Sequence, residues 1–245
     1  MIYTLLIIII AALVGYIVVQ TKSMKKKLKA AEQKGMEDFL GLLINQGYES
    51  RLQWFRFLNA SAKKGGVLFV GDSLTQEFLL EEYFSGSLVY NRGIGGDTTE
   101  GLLKRMKESV YDLEPSKMFL LIGTNDLAVN VSKPEKVLEN IRKIILATKE
   151  KCKGTELYVE SLYPTGTEGY DNLSEEAIKN RSNYVIDVIN QGLKALCQEL
   201  EVTYIDINSK LKDKDGRLKS ELTRDGLHLK PEGYKIVIES LRQYI

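Results

Sequence analysis

The sequence is poor in the residues that bind zinc or form a disulfide framework. Its 245 residues include only two cysteines and one histidine, too few for a zinc site of the usual Cys/His type or for a disulfide-stapled fold. Cys152 and Cys197 both fall in helical-looking stretches, where packed thiols are the ordinary interpretation, and their pairing stays open. Four prolines leave no long proline-rich linker. We expect no metal and no other cofactor.

An excess of charge of one sign is also missing. The 34 basic and 33 acidic residues give a net charge of +1, which gives no indication of nucleic-acid binding. A hydrophobic content of 44% excludes a disordered chain. The charge is uneven, however: residues 1–64 hold ten basic and four acidic residues, and residues 65–245 hold 24 and 29. A short basic part therefore precedes a mildly acidic one.

The first segment has no charged residue at all between Ile2 and Val19. A helix of about 18 residues spans about 27 Å, close to the thickness of a bilayer core. A cleaved signal peptide is the alternative, but it would need a basic region before the run and a small-residue cleavage site after it. We therefore expect an uncleaved, single-pass transmembrane anchor over residues 1–21.

Five lysines follow this run at once, at positions 22, 25, 26, 27 and 29. The positive-inside rule places that side of the membrane in the cytoplasm, and so predicts that residues 65–245 are cytoplasmic, with an extracellular location as the alternative. Residues 22–64 are predicted to form a basic helical stem with a break at Gly47. Its apolar stripe permits a homodimer without requiring one.

Residues 65–245 alternate short apolar runs with longer helical patterns. Runs of the buried-strand type cover residues 67–70, 88–90, 118–122, 157–162 and 202–207. Helical periodicity covers residues 98–110, 134–151, 175–200 and 231–245. This order predicts a three-layer α/β/α domain with a five-stranded parallel sheet. In such folds ligands bind beyond the carboxyl ends of the strands.

Polar residues and glycines follow the first three strands. Ser73 lies just beyond the first strand, where N–H groups of the next helix would stabilise the negative charge of an acyl-transfer intermediate. His228 follows Asp225 by three residues, a spacing at which the carboxylate reaches one ring nitrogen and leaves the other for the serine. Asn125 and Gly96 offer further N–H donors. Each of these residues alone has an ordinary structural interpretation as a cap, turn or packed residue.

Two other classes of protein fit the pattern less well. The glycines at positions 93, 95 and 96 resemble a nucleotide loop, but Thr98 stands where a dinucleotide fingerprint needs its third glycine, and no P-loop lysine follows. A flavodoxin-like protein that binds phosphate or nucleotide is therefore a weak alternative. A non-catalytic, membrane-tethered binding module is another, but loss of Ser73, Asn125 or His228 would be its signature.

Four segments together resemble the conserved blocks of the SGNH/GDSL hydrolase superfamily, in its order and with its spacing: Gly71-Asp72-Ser73-Leu74, Asn91-Arg92-Gly93-Ile94-Gly95-Gly96-Asp97, Gly123-Thr124-Asn125-Asp126 and Asp225-Gly226-Leu227-His228. The resemblance implies a flavodoxin-like serine hydrolase of carboxylic esters. It implies that Ser73 is the nucleophile, His228 the base and Asp225 the residue that orients the base. Ser73, Gly96 and Asn125 would form the oxyanion hole.

The stretch from Gly93 to Thr99 is most similar to that of the platelet-activating-factor acetylhydrolase type within this superfamily. Leu74, Thr124 and Leu227 occupy positions that wall a small acyl pocket in those enzymes, which implies short acyl groups such as acetyl. The expected partner is an ester substrate, either a lipid or an O-acylated carbohydrate. A carbohydrate O-acetylesterase and a lysophospholipase of the same mechanism remain alternatives.

Overall fold

The computed structural model describes residues 2–129, 133–167, 170–171 and 173–245. Its helices are α1 (Ile2–Asn59), α2 (Ser73–Gln76), α3 (Leu80–Tyr83), α4 (Thr99–Lys104), α5 (Met106–Ser109), α6 (Thr124–Val129), α7 (Pro134–Lys151), α8 (Glu175–Ile178), α9 (Asn183–Glu199), α10 (Asn208–Leu211) and α11 (Pro231–Leu241). Short 3-10 helices cover Tyr111–Leu113, Ser220–Leu222 and Arg242–Tyr244.

The strands are β1 (Val67–Gly71), β2 (Val89–Gly93), β3 (Lys117–Leu121), β4 (Glu156–Glu160) and β5 (Thr203–Ile205). They form one sheet in the order β2-β1-β3-β4-β5, and every neighbouring pair is parallel. The predicted α/β fold with a five-stranded parallel sheet is therefore confirmed. This strand order reverses direction between β1 and β3, and ligands bind at such a point in open α/β sheets.

Aromatic side chains cover one face of the sheet. Phe69 pairs in register with Phe119, which pairs with Tyr158, and both neighbouring pairs of rings stack with centroids 4.7 Å apart. Phe78 packs onto Phe69, and Tyr234 of α11 stacks on Phe78. Side chains alternate between the two faces of a strand, so the residues between these aromatics face the opposite side. The core thus lies on both faces of the sheet.

Two of the predicted helices are interrupted. The helix predicted over residues 175–200 is divided into α8 and α9, because Asn180 adopts a left-handed conformation with φ 60°, which ends the first helix. The pattern over residues 98–110 is likewise divided at Arg105, whose φ of −112° is not helical. The predicted continuous helices were wrong at these two places, and both interruptions carry an arginine used at the site described below.

Helix α1 is continuous through Gly47, so the break predicted there is wrong. The chain divides here into two compact units, Met1–Gly47 and Tyr48–Ile245. The end of α1 therefore belongs with the sheet: Leu52 and Phe55 are buried, in a small cluster with Ile94. Cys152 and Cys197 are both free and buried.

The predicted anchor lies at the start of α1. Among the residues that the structure describes, no helix is both long enough and apolar enough to cross a membrane. The side chains of residues 3–12, in the middle of the predicted anchor, lie outside the described part of the chain. The anchor therefore stays a prediction.

Candidate active site

Three predicted site residues lie in hydrogen-bond contact. Nε2 of His228 lies 3.0 Å from Oγ of Ser73, and Nδ1 of the same ring lies 2.6 Å from Oδ2 of Asp225. A carboxylate only accepts hydrogen bonds, so Nδ1 carries the proton and Nε2 is left to accept the serine hydroxyl proton. Serine and histidine are 155 residues apart in the sequence and meet only because the chain folds.

The carboxylate of Asp225 is fully occupied by its own loop. Its Oδ1 accepts the backbone N–H groups of Leu227 at 2.9 Å and His228 at 2.7 Å, while Oδ2 faces the imidazole ring. Burial alone would raise the pKa of Asp225, but these hydrogen bonds outweigh it and lower the pKa to about 2. The group is therefore ionised at neutral pH, as an orienter of histidine must be.

Ser73 is positioned by a close approach of backbone at the end of β1. At Gly71, a Cβ atom would lie 2.1 Å from the Leu121 carbonyl oxygen of β3, so no larger residue fits between the strands here. Asp72 caps the start of α2, and its Oδ1 accepts a hydrogen bond from the N–H of Leu74 at 3.0 Å. Ser73 is thus the first residue of a helix that starts directly at the carboxyl edge of the sheet.

Gly96 lies in a tight turn beside the serine. The Asp97 N–H donates to the Ile94 carbonyl oxygen at 3.2 Å, and Gly96 has φ 76°, the left-handed value that the third residue of a type II turn requires. Its neighbour Gly95 approaches Ser73 closely, because a Cβ atom at Gly95 would lie 3.9 Å from the Cβ of Ser73. The turn therefore lies against Ser73, and the Gly95 N–H donates to Oε1 of Gln76 at 2.8 Å.

Asn125 is tied to the same turn. Its Nδ2 donates to the Asp97 carbonyl oxygen at 2.9 Å, and its Oδ1 accepts from Nη2 of Arg181 at 2.9 Å. An amide nitrogen carries two hydrogens, so Nδ2 can donate one to Asp97 and one to a ligand. The side chain that the sequence predicts as an oxyanion donor is thus fixed at both ends.

The three residues predicted to wall an acyl pocket are all buried, Leu74 and Thr124 at 2% exposure and Leu227 at 4%. Leu74 directly follows Ser73, and Leu227 directly precedes His228. The Thr124 hydroxyl is buried and makes no hydrogen bond within the described part of the chain. Buried hydroxyl groups are normally paired, so Thr124 is an exception in this part of the structure.

Sequence reasoning missed a buried ion pair that holds the glycine turn. Arg105 and Asp97 lie with Nε and Oδ2 2.7 Å apart, and the same guanidinium donates to the carbonyl oxygens of Gly71 and Arg92, each at 2.9 Å. A signal was present, since Arg105 stands among Leu102, Met106 and other apolar residues on the buried face of its helical pattern. For Arg181, between α8 and α9, the sequence offers no comparable signal.

Two further carboxylates, those of Asp72 and Glu160, are buried. Burial raises the pKa of Asp72 to about 7, and its Oδ2 makes no hydrogen bond to any residue the structure describes. Burial also raises the pKa of Glu160 to about 7, although the Tyr163 hydroxyl donates to it at 2.6 Å. Among the described residues, no group of three acidic, cysteine or histidine side chains could hold a metal ion.

Comparisons with known proteins identify the family to which this fold and site belong. Residues 69–236 match the GDSL-like lipase/acylhydrolase family. The chain is 30% identical over 196 residues to the platelet-activating factor acetylhydrolase IB subunit alpha2 of Rattus norvegicus, covering 77% of this chain and 79% of that one. The chain therefore belongs to the GDSL-like lipase/acylhydrolase family and is a carboxylic ester hydrolase.

Solved structures share the fold. A protein from Streptococcus pneumonia, provisionally assigned as a platelet activating factor, is 32% identical, with a TM-score of 0.78 over 84% of this chain and 96% of that one. An acetylxylan esterase from Geobacillus stearothermophilus is 20% identical, with a TM-score of 0.58 over 74% and 94%. The predicted resemblance to the SGNH/GDSL superfamily and its acetylhydrolase-type members is confirmed.

Proposed function

We propose that the protein is a membrane-anchored serine esterase that removes short acyl groups, acetyl in the first place, through an acyl-enzyme on Ser73. The observation that carries the proposal is the continuous chain of contacts from Ser73 Oγ to His228 Nε2 and from His228 Nδ1 to Asp225, at 3.0 Å and 2.6 Å. Serine and histidine in this relation activate an otherwise weak nucleophile.

The reaction has two halves. His228 Nε2 takes the Ser73 proton while Oγ bonds to the ester carbonyl carbon, and the carbonyl oxygen becomes an oxyanion. The N–H groups of Ser73 and Gly96 and the Asn125 amide donate to that oxygen. The carbon–oxygen bond to the alcohol then breaks, and His228 gives its proton to the leaving alcohol. Water repeats the sequence and releases the acid from Ser73.

A short acyl group is supported by the close packing around the nucleophile. Leu74 and Leu227 are buried next to Ser73 and His228, and Thr124 is buried next to Asn125. A pocket walled by such residues has little room for a long chain. The relative at 30% identity is named an acetylhydrolase. The alcohol part of the ester, lipid or carbohydrate, is a separate question because it leaves on the open side of the carbonyl.

The proposal is tested by hydrolysis of nitrophenyl acetate, butyrate and octanoate by the full chain. We expect the rate to fall with acyl length and to vanish in Ser73→Ala, while Ser61→Ala, which removes an exposed hydroxyl, retains full activity. Preference for octanoate would contradict the short-acyl pocket, but the proposed esterase activity would still hold. Full activity in Ser73→Ala would contradict the nucleophile.

The membrane anchor and its orientation belong to the same proposal. The uncharged run from Ile2 to Val19 and the lysines directly after it support a single span with the esterase domain on the cytoplasmic side. We expect intact cells to protect this domain from added protease and detergent-opened cells to expose it. Digestion of the domain in intact cells would show that the domain lies on the outer side of the membrane. Recovery of the full chain in the soluble fraction would contradict the anchor.

A further inference from the structure

The two contacts of the Asn125 side chain leave no ambiguity about its orientation. The Asp97 carbonyl oxygen, 2.9 Å from Nδ2, can only accept a hydrogen bond, and the Arg181 guanidinium, 2.9 Å from Oδ1, can only donate. Rotating the amide by half a turn would break both contacts at once. The arginine and the Asp97 carbonyl group therefore fix the orientation of the amide together.

Arg181 is itself held in one conformation. Its Nη1 donates to the carbonyl oxygens of Ala177 at 2.7 Å and Glu176 at 3.4 Å, at the end of α8. Its own carbonyl oxygen accepts from the Thr165 hydroxyl at 2.9 Å. The residue is 9% exposed. A long side chain held by these contacts of its Nη1 and of its backbone presents its Nη2 to Asn125 with little further loss of conformational freedom.

The placement of Arg181 destabilises the fold in two ways. Arg181 stands in the interruption between α8 and α9, next to Asn180 with its left-handed backbone. Its Nε is buried and makes no hydrogen bond to any described residue, and a buried unpaired N–H group is destabilising. A continuous helix with an apolar residue here would avoid both costs but would lose the hydrogen bond to Asn125.

The segment that carries Arg181 also supports the histidine loop. The Gly166 N–H donates to the Gly226 carbonyl oxygen at 2.6 Å, and the Ser174 N–H donates to the Asp225 carbonyl oxygen at 2.9 Å. Two residues that precede α8 thus contact the loop of Asp225 and His228, while Arg181, which follows α8, contacts Asn125. One segment of the chain sets both the base and the oxyanion donor.

We propose that Arg181 is a positioning residue that holds the Asn125 amide with its N–H turned toward the oxyanion and strengthens that N–H as a donor. The proposal rests on the proposed function, because it acts through the oxyanion hole of an acyl transfer. A cation hydrogen-bonded to the amide oxygen draws electron density from the nitrogen, so the N–H binds a developing negative charge more strongly. The benefit arises in the transition state and should appear in kcat rather than in KM.

The test is a double-mutant cycle in the full chain, with kcat and KM measured for nitrophenyl acetate. The variants are Asn125→Ala, Arg181→Met and the double variant, with Arg142→Met, which removes an exposed arginine paired with Glu199, as the matched control. Activity is expressed per active serine, counted by the amount of a fluorophosphonate bound. This counting removes any loss that comes only from unfolded protein. Arg181→Lys is included as the conservative variant.

We expect Asn125→Ala to lower kcat by about 10²–10³-fold and Arg181→Met by about tenfold or more, with KM nearly unchanged. In the Asn125→Ala background, Arg181→Met should have almost no further effect, because the two residues act as one unit. Arg181→Lys, which keeps a charged donor, should recover part of kcat. Where Arg181→Met does not fold, the same cycle with Arg181→Lys carries the test.

Three results would overturn the proposal. Equal losses from the arginine substitution in both backgrounds would mean that Arg181 acts independently of Asn125, as a purely structural residue would. A change in KM with kcat unchanged would mean that Arg181 contacts the substrate instead of acting through Asn125. If Asn125→Ala leaves kcat unchanged, the oxyanion role of Asn125 fails and the role of Arg181 through it fails too. The esterase itself is judged separately, by Ser73→Ala.

Discussion

Nε of Arg105 lies 2.7 Å from Oδ2 of Asp97, and the two side chains are 1% and 2% exposed. The remaining guanidinium nitrogens donate to the Gly71 and Arg92 carbonyl oxygens and to the Ser109 hydroxyl. One side chain therefore ties the ends of β1 and β2 to the turn that contains Gly96. The shape of the proposed oxyanion hole should therefore depend on this ion pair.

Breaking this pair should damage both stability and activity. Arg105→Met leaves the Asp97 carboxylate buried without its partner, and losing one member of a buried pair costs about 3–5 kcal/mol. Urea unfolding gives the free energy, and nitrophenyl acetate hydrolysis below the unfolding transition gives the activity. Arg142→Met, at an exposed pair, is the control and should change both little. Equal effects of the two substitutions would contradict a supporting role for Arg105.

The last turns of α1 should be part of the folded esterase. Phe55 is 3% exposed and packs with Leu52 and Ile94, directly before the Gly96 turn, whereas Trp54 on the same helix is 60% exposed. Phe55→Ala should lower the free energy of unfolding by about 3 kcal/mol and lower activity. Trp54→Ala should have a much smaller effect on both. Unfolding curves that shift equally for the two variants would show that this end of α1 does not pack on the domain.

The buried carboxylates predict an unusual dependence of stability on pH. Burial raises the pKa of Asp72 to about 7 in the folded protein, while the unfolded group titrates near 3.9. A raised carboxyl pKa means that the folded protein binds the proton more tightly than the unfolded chain does. The contribution of Asp72 to stability is therefore complete below about pH 4 and is lost as the pH rises through 7. A difference of about three units corresponds to roughly 4 kcal/mol.

Urea unfolding of the wild type and of Asp72→Asn at pH 5 and pH 8 measures this effect. The neutral amide cannot ionise, so the variant should lose less stability than the wild type between these two values. Glu160→Gln should behave in the same direction, because burial also raises its pKa to about 7. The same change with pH in all three proteins would contradict buried carboxyl groups that ionise near neutrality.

The sheet and the contact chain were predictable because their signals are local. Each strand is a short apolar run that ends in glycine or a polar residue, and parallel strands bring those ends to one edge of the sheet. Ser73, Asn125 and His228 lie in motifs that follow strands or precede a proline-started helix. The order and spacing of four such motifs identified the family before any coordinate was known.

The supporting residues could not be predicted because their signals depend on the folded chain. Arg181 is 56 residues from Asn125, and the periodicity around it is that of a continuous helix. Only the left-handed backbone at Asn180 reveals the interruption. Arg105 did leave a trace, a charge at an apolar position of a helical pattern, but its partners lie on other elements.

The most direct test of the account is the site of covalent labelling by a fluorophosphonate. The Ser73 oxygen would bond to phosphorus as fluoride leaves, in the same way that it attacks an ester carbonyl, and peptide mass spectrometry locates the product. The account predicts one label, on Ser73, that blocks ester hydrolysis and forms far more slowly in His228→Ala. Ester hydrolysis by a folded chain that takes no label, or takes it on another residue, would contradict the account.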